Sequence, residues 1–199
     1  MWDERYREPG YAYGSEPNDF LASVADRIPQ GPVLCLAEGE GRNGVFLASR
    51  GHAVTAVDGS AVGLEKARAL AAERQVSLRT VHADLADYAI EPGAWAGIVS
   101  IWCHLPAALR VPVHRGVVAG LRPGGVLILE AYTPAQLTHG TGGPKVADLL
   151  YGLEQLKQDF AGLAFEHAVE LERDIHEGRY HAGQSAVVHL AGSTPAEMT

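Results

Sequence analysis

A glycine-rich segment with the sequence AEGEGRNG (residues 37–44) carries the first chemistry that this chain could perform. It has the spacing G-x-G-x-x-G at Gly39, Gly41 and Gly44, after the apolar run PVLCLA and before a segment with helical periodicity. Asp58 follows Gly39 by 19 residues and ends the next apolar run. A carboxylate at that point can accept hydrogen bonds from ribose hydroxyls. Together these features predict a nucleoside cofactor bound at the carboxyl edge of an open α/β sheet.

Two acidic residues in this segment bear on the choice of cofactor. In a dinucleotide site, the free amide groups of the following helix face a pyrophosphate anion, which Glu38 and Glu40 would repel. Carboxylates there would instead attract an ammonium group, such as that of a methionine moiety. NAD remains the alternative cofactor, although the negative charge of Glu38 argues against it. Glu40 is interpreted chiefly as a solvated loop charge.

Histidines and aromatic residues supply further candidates. His104 follows the apolar run GIVSIWC and is expected at a strand end, either as a cleft residue or as a polar cap of the strand. His176 and His181 lack a third ligand in a known pattern, so no metal site is predicted. Aromatic residues crowd the amino terminus, and they predict either a lid that excludes water or a short helix packed on the domain; they are Trp2, Tyr6, Tyr11 and Tyr13.

The elements that must position these residues alternate between apolar runs and helical segments. Five strands separated by helices indicate a doubly wound α/β sheet, and they are expected at 32–37, 52–58, 77–83, 97–103 and 126–132. Helices are expected at 42–50 and from a cap at Ser60 to about 74. A helix broken near Pro112 leads into a tight RPGG turn. A glycine-rich loop (133–144) and a helix at about 146–160 then precede LAFEHAVELER and SAVVHLAG, an antiparallel hairpin joined by HEGRYHAGQ.

Composition and charge exclude several classes. The chain has 199 residues, 47% hydrophobic and 20% charged, which fits one domain, expected over 1–192 with an N-terminal cap at 1–30 and a tail at 193–199. The formal net charge of −8, without a Lys/Arg-rich run, argues against nucleic acid. The absence of a long apolar run or a signal-peptide pattern predicts no membrane partner and a cytoplasmic protein. Cys35 and Cys103 fit buried thiols in a reduced compartment.

An ordered set of motifs carries a family resemblance. Glu38-Gly39-x-Gly41, Asp58, HADLAD (82–87), GIVSIW (97–102) and LRPGG (121–125) resemble the successive motifs of class I S-adenosylmethionine-dependent methyltransferases. EGRN followed by a helix is similar to the tellurite-resistance and thiopurine S-methyltransferase-like branch, including its small bacterial members. The resemblance implies a Rossmann-like fold, with a mostly parallel seven-stranded sheet and a C-terminal antiparallel hairpin.

The resemblance also implies a role for individual residues. One glycine loop and three strand ends would hold S-adenosylmethionine, and the residues concerned are Glu38, Gly39, Gly41, Asn43, Asp58, Gly59, Ser60, Asp84, Leu85 and Ile101. Glu38 and the two glycines would hold the methionine part, and Asp58 the ribose. Residues 101–104 would form the floor under the sulfonium. Asn43 stands where many class I enzymes have a third glycine, in agreement with the tellurite-type branch.

Three residues are predicted to serve the methyl acceptor: His104, Arg173 and His181. Methyl transfer depends mainly on holding the nucleophile, the methyl carbon and the sulfur in line, so a catalytic triad is not required. Arg173 would hold a carboxylate or oxyanion through its planar fork, and His181 would accept a thiol proton. The alternative is a solvent-exposed hairpin whose charges keep an edge strand soluble.

The predicted function is therefore methyl transfer from S-adenosylmethionine to a small-molecule acceptor, with S-adenosylhomocysteine as product. The acceptor would be a thiol, a selenol or a metalloid oxyanion. The alternatives are an NAD-dependent oxidoreductase and a non-catalytic, cofactor-binding regulatory protein. A monomer or weak homodimer is expected.

Overall fold

The structure, a computed structural model, describes residues 2–196 and is built on one mixed sheet. Its strands are β1 Pro32–Leu36, β2 Ala53–Asp58, β3 Arg79–His82, β4 Trp95–Ile101, β5 Leu121–Tyr132, β6 Ala164–Glu177 and β7 His181–Ser193. They lie in the order β3-β2-β1-β4-β5-β7-β6. The first five pair in parallel, whereas β7 is antiparallel to both β5 and β6. This confirms the predicted doubly wound sheet with its C-terminal hairpin.

Six α-helices flank the sheet within the described residues. They are α1 Trp2–Tyr6, α2 Asp19–Val24, α3 Arg42–Ser49, α4 Ala61–Glu73, α5 Ala107–Gly120 and α6 Leu153–Asp159. Side chains cap two of them: Asn18 accepts from the Leu21 amide at the start of α2, and Ser60 accepts from the Gly63 amide at the start of α4. No helix in residues 2–196 is long and apolar enough to cross a membrane.

The core lies on both faces of the central strands because apolar residues occupy most of their positions on either face. In β1, Leu34 packs into the cluster beneath α5 and α6, while its neighbours Val33 and Cys35 pack beneath α2 and α3. This alternation follows from the two-residue period of a strand. Cys35 and Cys103 are both buried and unpaired, so the sheet holds them as small apolar side chains.

Two predicted helices differ from the structure. Helix α5 runs unbroken through Pro112, because burial of Val113 and Val117 against the sheet outweighs the one backbone hydrogen bond that the proline removes. The helix predicted at 146–160 is instead a 3₁₀ turn, Ala147–Leu149, followed by α6. The break occurs because the buried Tyr151 donates its backbone N–H to the Tyr132 carbonyl at the end of β5.

The C-terminal hairpin is longer than its sequence pattern indicates. Strand β6 continues to Glu177 and β7 begins at His181, so only residues 178–180 form the connection. Beyond β7, the Thr194 amide donates to the Gly125 carbonyl, and the Pro195 carbonyl accepts from Gly124. Residues 194 and 195, which belong to the tail predicted from residue 193, are thus bonded to β5, and residues 197–199 lie outside the described part. The RPGG turn is a bulge in β5, since Leu121 and Val126 pair with Trp95 and Gly97.

Candidate functional site

A cavity of about 600 Å³ opens at the carboxyl ends of the central strands. It lies where the strand order reverses between β1 and β4, the position at which open α/β sheets bind ligands. Its volume is that of a small-molecule site. Most of the predicted site residues line it: Glu38, Asn43, Asp58, Gly59, Asp84, Leu85, Ile101, His104 and His181.

The two glycines predicted in the loop lie behind the cavity, at positions where a side chain would not fit. Gly39 has φ +61°, and a Cβ there would meet the Tyr6 hydroxyl at 2.6 Å. Gly41 has φ +90°, and its Cβ would meet Ala67 of α4 at 2.6 Å. Both positions therefore require glycine for a left-handed backbone and for close approach to neighbouring helices. Neither residue lines the cavity itself.

Glu38 occupies the amino end of α3. Its Oε1 accepts a hydrogen bond from the Gly44 amide at 2.6 Å, and the residue is only 8% exposed. Burial raises the pKa of Glu38 to about 7, against an ordinary value of 4.5. The amino end of this helix, where a dinucleotide would place its pyrophosphate, thus already holds a carboxyl group.

Asp58 joins the glycine loop to the turn after β2. Its Oδ2 accepts from the Gly39 amide at 2.8 Å, and its Oδ1 accepts from the Ser60 amide at 2.7 Å. Burial raises the pKa of this carboxyl. Ser60 caps α4, donates to Asp3 and does not line the cavity, and its place beside the adenine stays a prediction. Ribose binding by Asp58 stays a prediction.

Glu40 and Asn43 hold the N-terminal segment over the cavity. Glu40 accepts from the Ala12 amide at 2.7 Å and pairs with Lys66 at 2.8 Å. Asn43 Oδ1 accepts from the Asn18 amide at 2.9 Å. The interpretation of Glu40 as a solvated charge is wrong, because its side chain is buried and bonded on both oxygens.

Aromatic residues of the N-terminal segment cover one side of the cavity. Helix α1 packs against α4, and Trp2, Tyr6 and Tyr13 face the cavity whereas Tyr11 does not. The segment is fastened to the hairpin, since Tyr180 donates to the Glu8 carboxylate at 2.9 Å. The N-terminal segment is therefore a short helix packed on the domain and also a cover over one side of the cavity.

A cluster of aromatic rings forms the far wall of the cavity. Trp102 stacks on Tyr132 with centroids 4.4 Å apart, and His181 lies 4.9 Å from Trp102 and 4.6 Å from Tyr13. Trp102 has φ +57°, a strained conformation for a non-glycine residue. The sequence pattern placed Trp102 at the end of β4 without indicating this conformation, and it did not single out Tyr132.

His181 lies at the centre of this wall and has an acidic neighbour. Its Nδ1 is buried 3.8 Å from Glu177 Oε2 and makes no hydrogen bond to any described residue. Burial lowers the pKa of His181, which keeps the imidazole neutral and able to accept a proton. Burial acts to raise the pKa of Glu177, but His181, Arg42 and Trp102 hold it well below its usual range. Sequence reasoning missed Glu177, because its role depends on partners from three distant segments.

His104 lines the cavity but its ring nitrogens are both engaged. Nδ1 donates to the Leu149 carbonyl at 2.6 Å, and Nε2 accepts from the Tyr132 amide at 3.4 Å. Burial lowers the pKa of His104 to about 4. The structure therefore favours the polar-cap interpretation of His104 over a role as a base.

Arg173 lies outside the cavity lining, and its contact with an acceptor stays a prediction. Its guanidinium forms two bonds to Glu130, at 2.8 and 3.1 Å, and further bonds to Asp19 and Glu177. Glu130 is fully buried and also bonds to Asn18 and His189, and the guanidinium neutralises its charge. In the described part of the chain, no group of three or more His, Cys, Asp or Glu residues is arranged to hold a metal ion.

Comparisons with known proteins agree with this geometry. A model of a methyltransferase domain matches residues 33–125. A 2-heptyl-1-hydroxyquinolin-4(1H)-one methyltransferase from Mycobacteroides abscessus is 24% identical over 139 residues, 68% of this chain and 61% of that protein. The chain thus spans about three-fifths of the length of this curated relative.

Two solved structures share the fold across most of the chain. One of them was described in work on the conversion of a disulfide bond into a thioacetal group during echinomycin biosynthesis. It has a TM-score of 0.76 at 16% sequence identity, and the match covers 97% of this chain and 87% of that chain. TehB from Haemophilus influenzae has a TM-score of 0.74 at 16% identity, over 97% of this chain and 65% of its own. At these identities the likeness establishes the fold alone.

Proposed function

We propose that this chain, which has the fold of the class I S-adenosylmethionine-dependent methyltransferases and their domain over residues 33–125, transfers a methyl group to a small-molecule acceptor. The domain match and the shared fold support the predicted family and its cofactor. The reaction itself and the acceptor are our proposal.

The carboxyl group of Glu38 at the start of α3 is the observation that carries the proposal. A pyrophosphate needs the free amides at that helix end, but Glu38 bonds to Gly44 there and would repel a second anion. The ammonium group of S-adenosylmethionine would instead meet a buried carboxyl whose negative form it stabilises. This argument favours S-adenosylmethionine over NAD.

The remaining cavity residues fit the other parts of the cofactor. The loop closed by Gly39 and Gly41 lies beside Asp58, which would accept hydrogen bonds from the ribose. Asp84 and Leu85, after β3, line the region expected for the adenine. The bound cofactor supplies a methyl group on a positively charged sulfur.

The aromatic wall would hold the acceptor and exclude water. Sulfur makes favourable contacts with aromatic ring edges, which supports a thiol or a selenol among the predicted acceptors. Arg173 would not hold a metalloid oxyanion, because its guanidinium is bonded to Glu130. The acceptor's proton would pass to Nε2 of His181, while the anionic Glu177 stabilises the imidazolium that forms. The curated relative's name adds hydroxylated heteroaromatic compounds to the acceptors worth testing.

A binding and turnover assay tests this function. Calorimetry should detect binding of S-adenosylhomocysteine and none of NAD. With S-adenosylmethionine, a panel of thiols, selenols, metalloid oxyanions and hydroxyquinolones should yield S-adenosylhomocysteine with at least one member. Binding without turnover on the whole panel would favour the regulatory alternative, and NAD binding alone would refute the proposal.

Two histidine variants test the proposed base on the acceptor found. His181→Asn should lower turnover about 100-fold, the usual contribution of a positioned base. His176→Asn is the matched control, because this histidine lies on the same hairpin with its side chain 77% exposed. Equal turnover in the two variants would remove His181 from the mechanism.

A further inference from the structure

Arg5 lies in the cavity lining in a confined environment. Its guanidinium stacks between the rings of Trp2 and Tyr180, 5.0 and 4.7 Å from their centroids. Nη1 donates to the Tyr13 hydroxyl at 2.6 Å. An arginine has five N–H donors in a planar fork, so this one bond leaves donors for a further partner.

The charges around the cavity distinguish Arg5 from the other cations. Arg42 also lines the cavity but pairs with Glu177 at 2.6 Å, and Lys66 behind it pairs with Glu40. Within residues 2–196, Arg5 forms no ion pair with a carboxylate, and its hydrogen-bond partner is a neutral phenol. It is thus a lining cation whose charge no protein carboxylate neutralises.

Three of the carboxyl groups that line the cavity also lack a charged partner in residues 2–196. Glu38, Asp58 and Asp84 accept bonds from backbone amides, and none forms an ion pair within the described residues. The cavity of the described residues therefore presents three acidic groups without an ion pair and one unpaired cation. A ligand complementary to it carries positive charge and also one anionic group. S-adenosylmethionine has this distribution, with a sulfonium, an ammonium and one carboxylate.

We propose that Arg5 binds the carboxylate of the cofactor's methionine moiety, an inference that rests on the proposed function. Arg5 belongs to the same short helix as Tyr6, whose hydroxyl lies against Gly39, so it is close to the loop expected to hold this moiety. A guanidinium matches a carboxylate through two parallel hydrogen bonds. Because Arg5 is part of the N-terminal segment, the cofactor would fasten this segment over the cavity.

Two nucleosides separate this role from a structural one. S-adenosylhomocysteine contains the carboxylate, whereas 5′-methylthioadenosine lacks the amino-acid part and keeps the adenine, the ribose and the sulfur. Calorimetry with Arg5→Met should show S-adenosylhomocysteine binding weakened about 10- to 100-fold, as expected for lost charge-assisted hydrogen bonds. Binding of 5′-methylthioadenosine should stay within about threefold of wild type. Arg7→Met, an exposed residue of the same segment, is the control and should change neither affinity.

Each other outcome overturns the assignment in a different way. Equal losses for both nucleosides would show that Arg5 only supports the aromatic segment. If the affinity for S-adenosylhomocysteine is unchanged but the KM for an anionic acceptor is raised, Arg5 binds the anionic group of the acceptor and not the carboxylate of the cofactor. Failure of the wild-type protein to bind either nucleoside would refute the proposed function together with this inference, whereas wild-type binding without a selective loss refutes only the inference.

Discussion

Glu38 should make both the stability of the protein and its affinity for the cofactor depend on pH. The carboxyl is 8% exposed, and burial raises its pKa to about 7 from an ordinary 4.5. In the free protein a large part of this group is therefore protonated near neutral pH. An ammonium group placed beside it would favour the ionised form, so cofactor binding and proton release should be coupled.

The size of the effect follows from the two pKa values. A difference of one pH unit corresponds to about 1.4 kcal/mol, so the interval from 4.5 to about 7 represents about 3 kcal/mol. Because the folded state holds this proton more tightly than the unfolded chain, the contribution of Glu38 to stability is fully present below pH 4.5. It should fall by up to about 3 kcal/mol as the pH rises to about 7.

Ligand affinity should change in the opposite direction over the same range. Between pH 5.5 and 7, where the ligand's ammonium stays charged, the Kd for S-adenosylhomocysteine should decrease by up to about tenfold per pH unit. Glu38→Gln keeps an oxygen that can accept from the Gly44 amide but cannot ionise. The variant should therefore bind with an affinity nearly independent of pH, and about 10-fold or more weaker than wild type at pH 7.

Calorimetry at four pH values, each in two buffers of different ionisation enthalpy, measures both the affinity and the number of protons released. Glu65→Gln, an exposed carboxyl on α4, is the matched control and should behave as wild type. Thermal unfolding of the free protein over the same pH range measures the predicted change in stability. The reasoning is refuted by a wild-type Kd that stays constant from pH 5.5 to 7, or by a pH dependence that persists in Glu38→Gln.

Three further predictions address the rest of the site. Asp58→Ala should weaken S-adenosylhomocysteine binding by about 100-fold or more in calorimetry, since each charged hydrogen bond is worth ~1.5–3 kcal/mol; an affinity within threefold of wild type would exclude the ribose role. Deletion of residues 1–13 should leave the circular dichroism of the sheet intact, because β1 begins at Pro32, but should lower turnover, and full activity would reduce the segment to packing. Arg173→Ala should cost about 3 kcal/mol in denaturant unfolding, because the buried Glu130 loses the guanidinium that neutralises its charge. Arg179→Ala on the exposed turn should cost less than about 1 kcal/mol.

The fold and the cofactor end of the site could be predicted because their signals are local. The apolar run in β1, the glycines that follow it and Asp58 at the end of β2 are close in sequence, and the geometry of a strand–turn–helix unit leaves them few arrangements. Alternating apolar and polar residues likewise predicted the hairpin, since a strand with one buried face has a period of two. The prediction of a carboxyl group at the start of α3 required only the position of Glu38.

The acceptor side was decided by tertiary structure, because its residues meet from distant segments. Arg173 was predicted to face an acceptor, but a buried carboxylate from β5 takes its guanidinium, and a sequence cannot indicate which cation will neutralise Glu130. His104 and Glu177 acquired their roles in the same way, through Leu149 for the first and through Arg42 and Trp102 for the second. Local patterns fix where a side chain leaves the backbone. The partners that take up its charge and hydrogen bonds are set by the packing of the whole sheet, since a buried polar group must find its partners wherever the fold brings them.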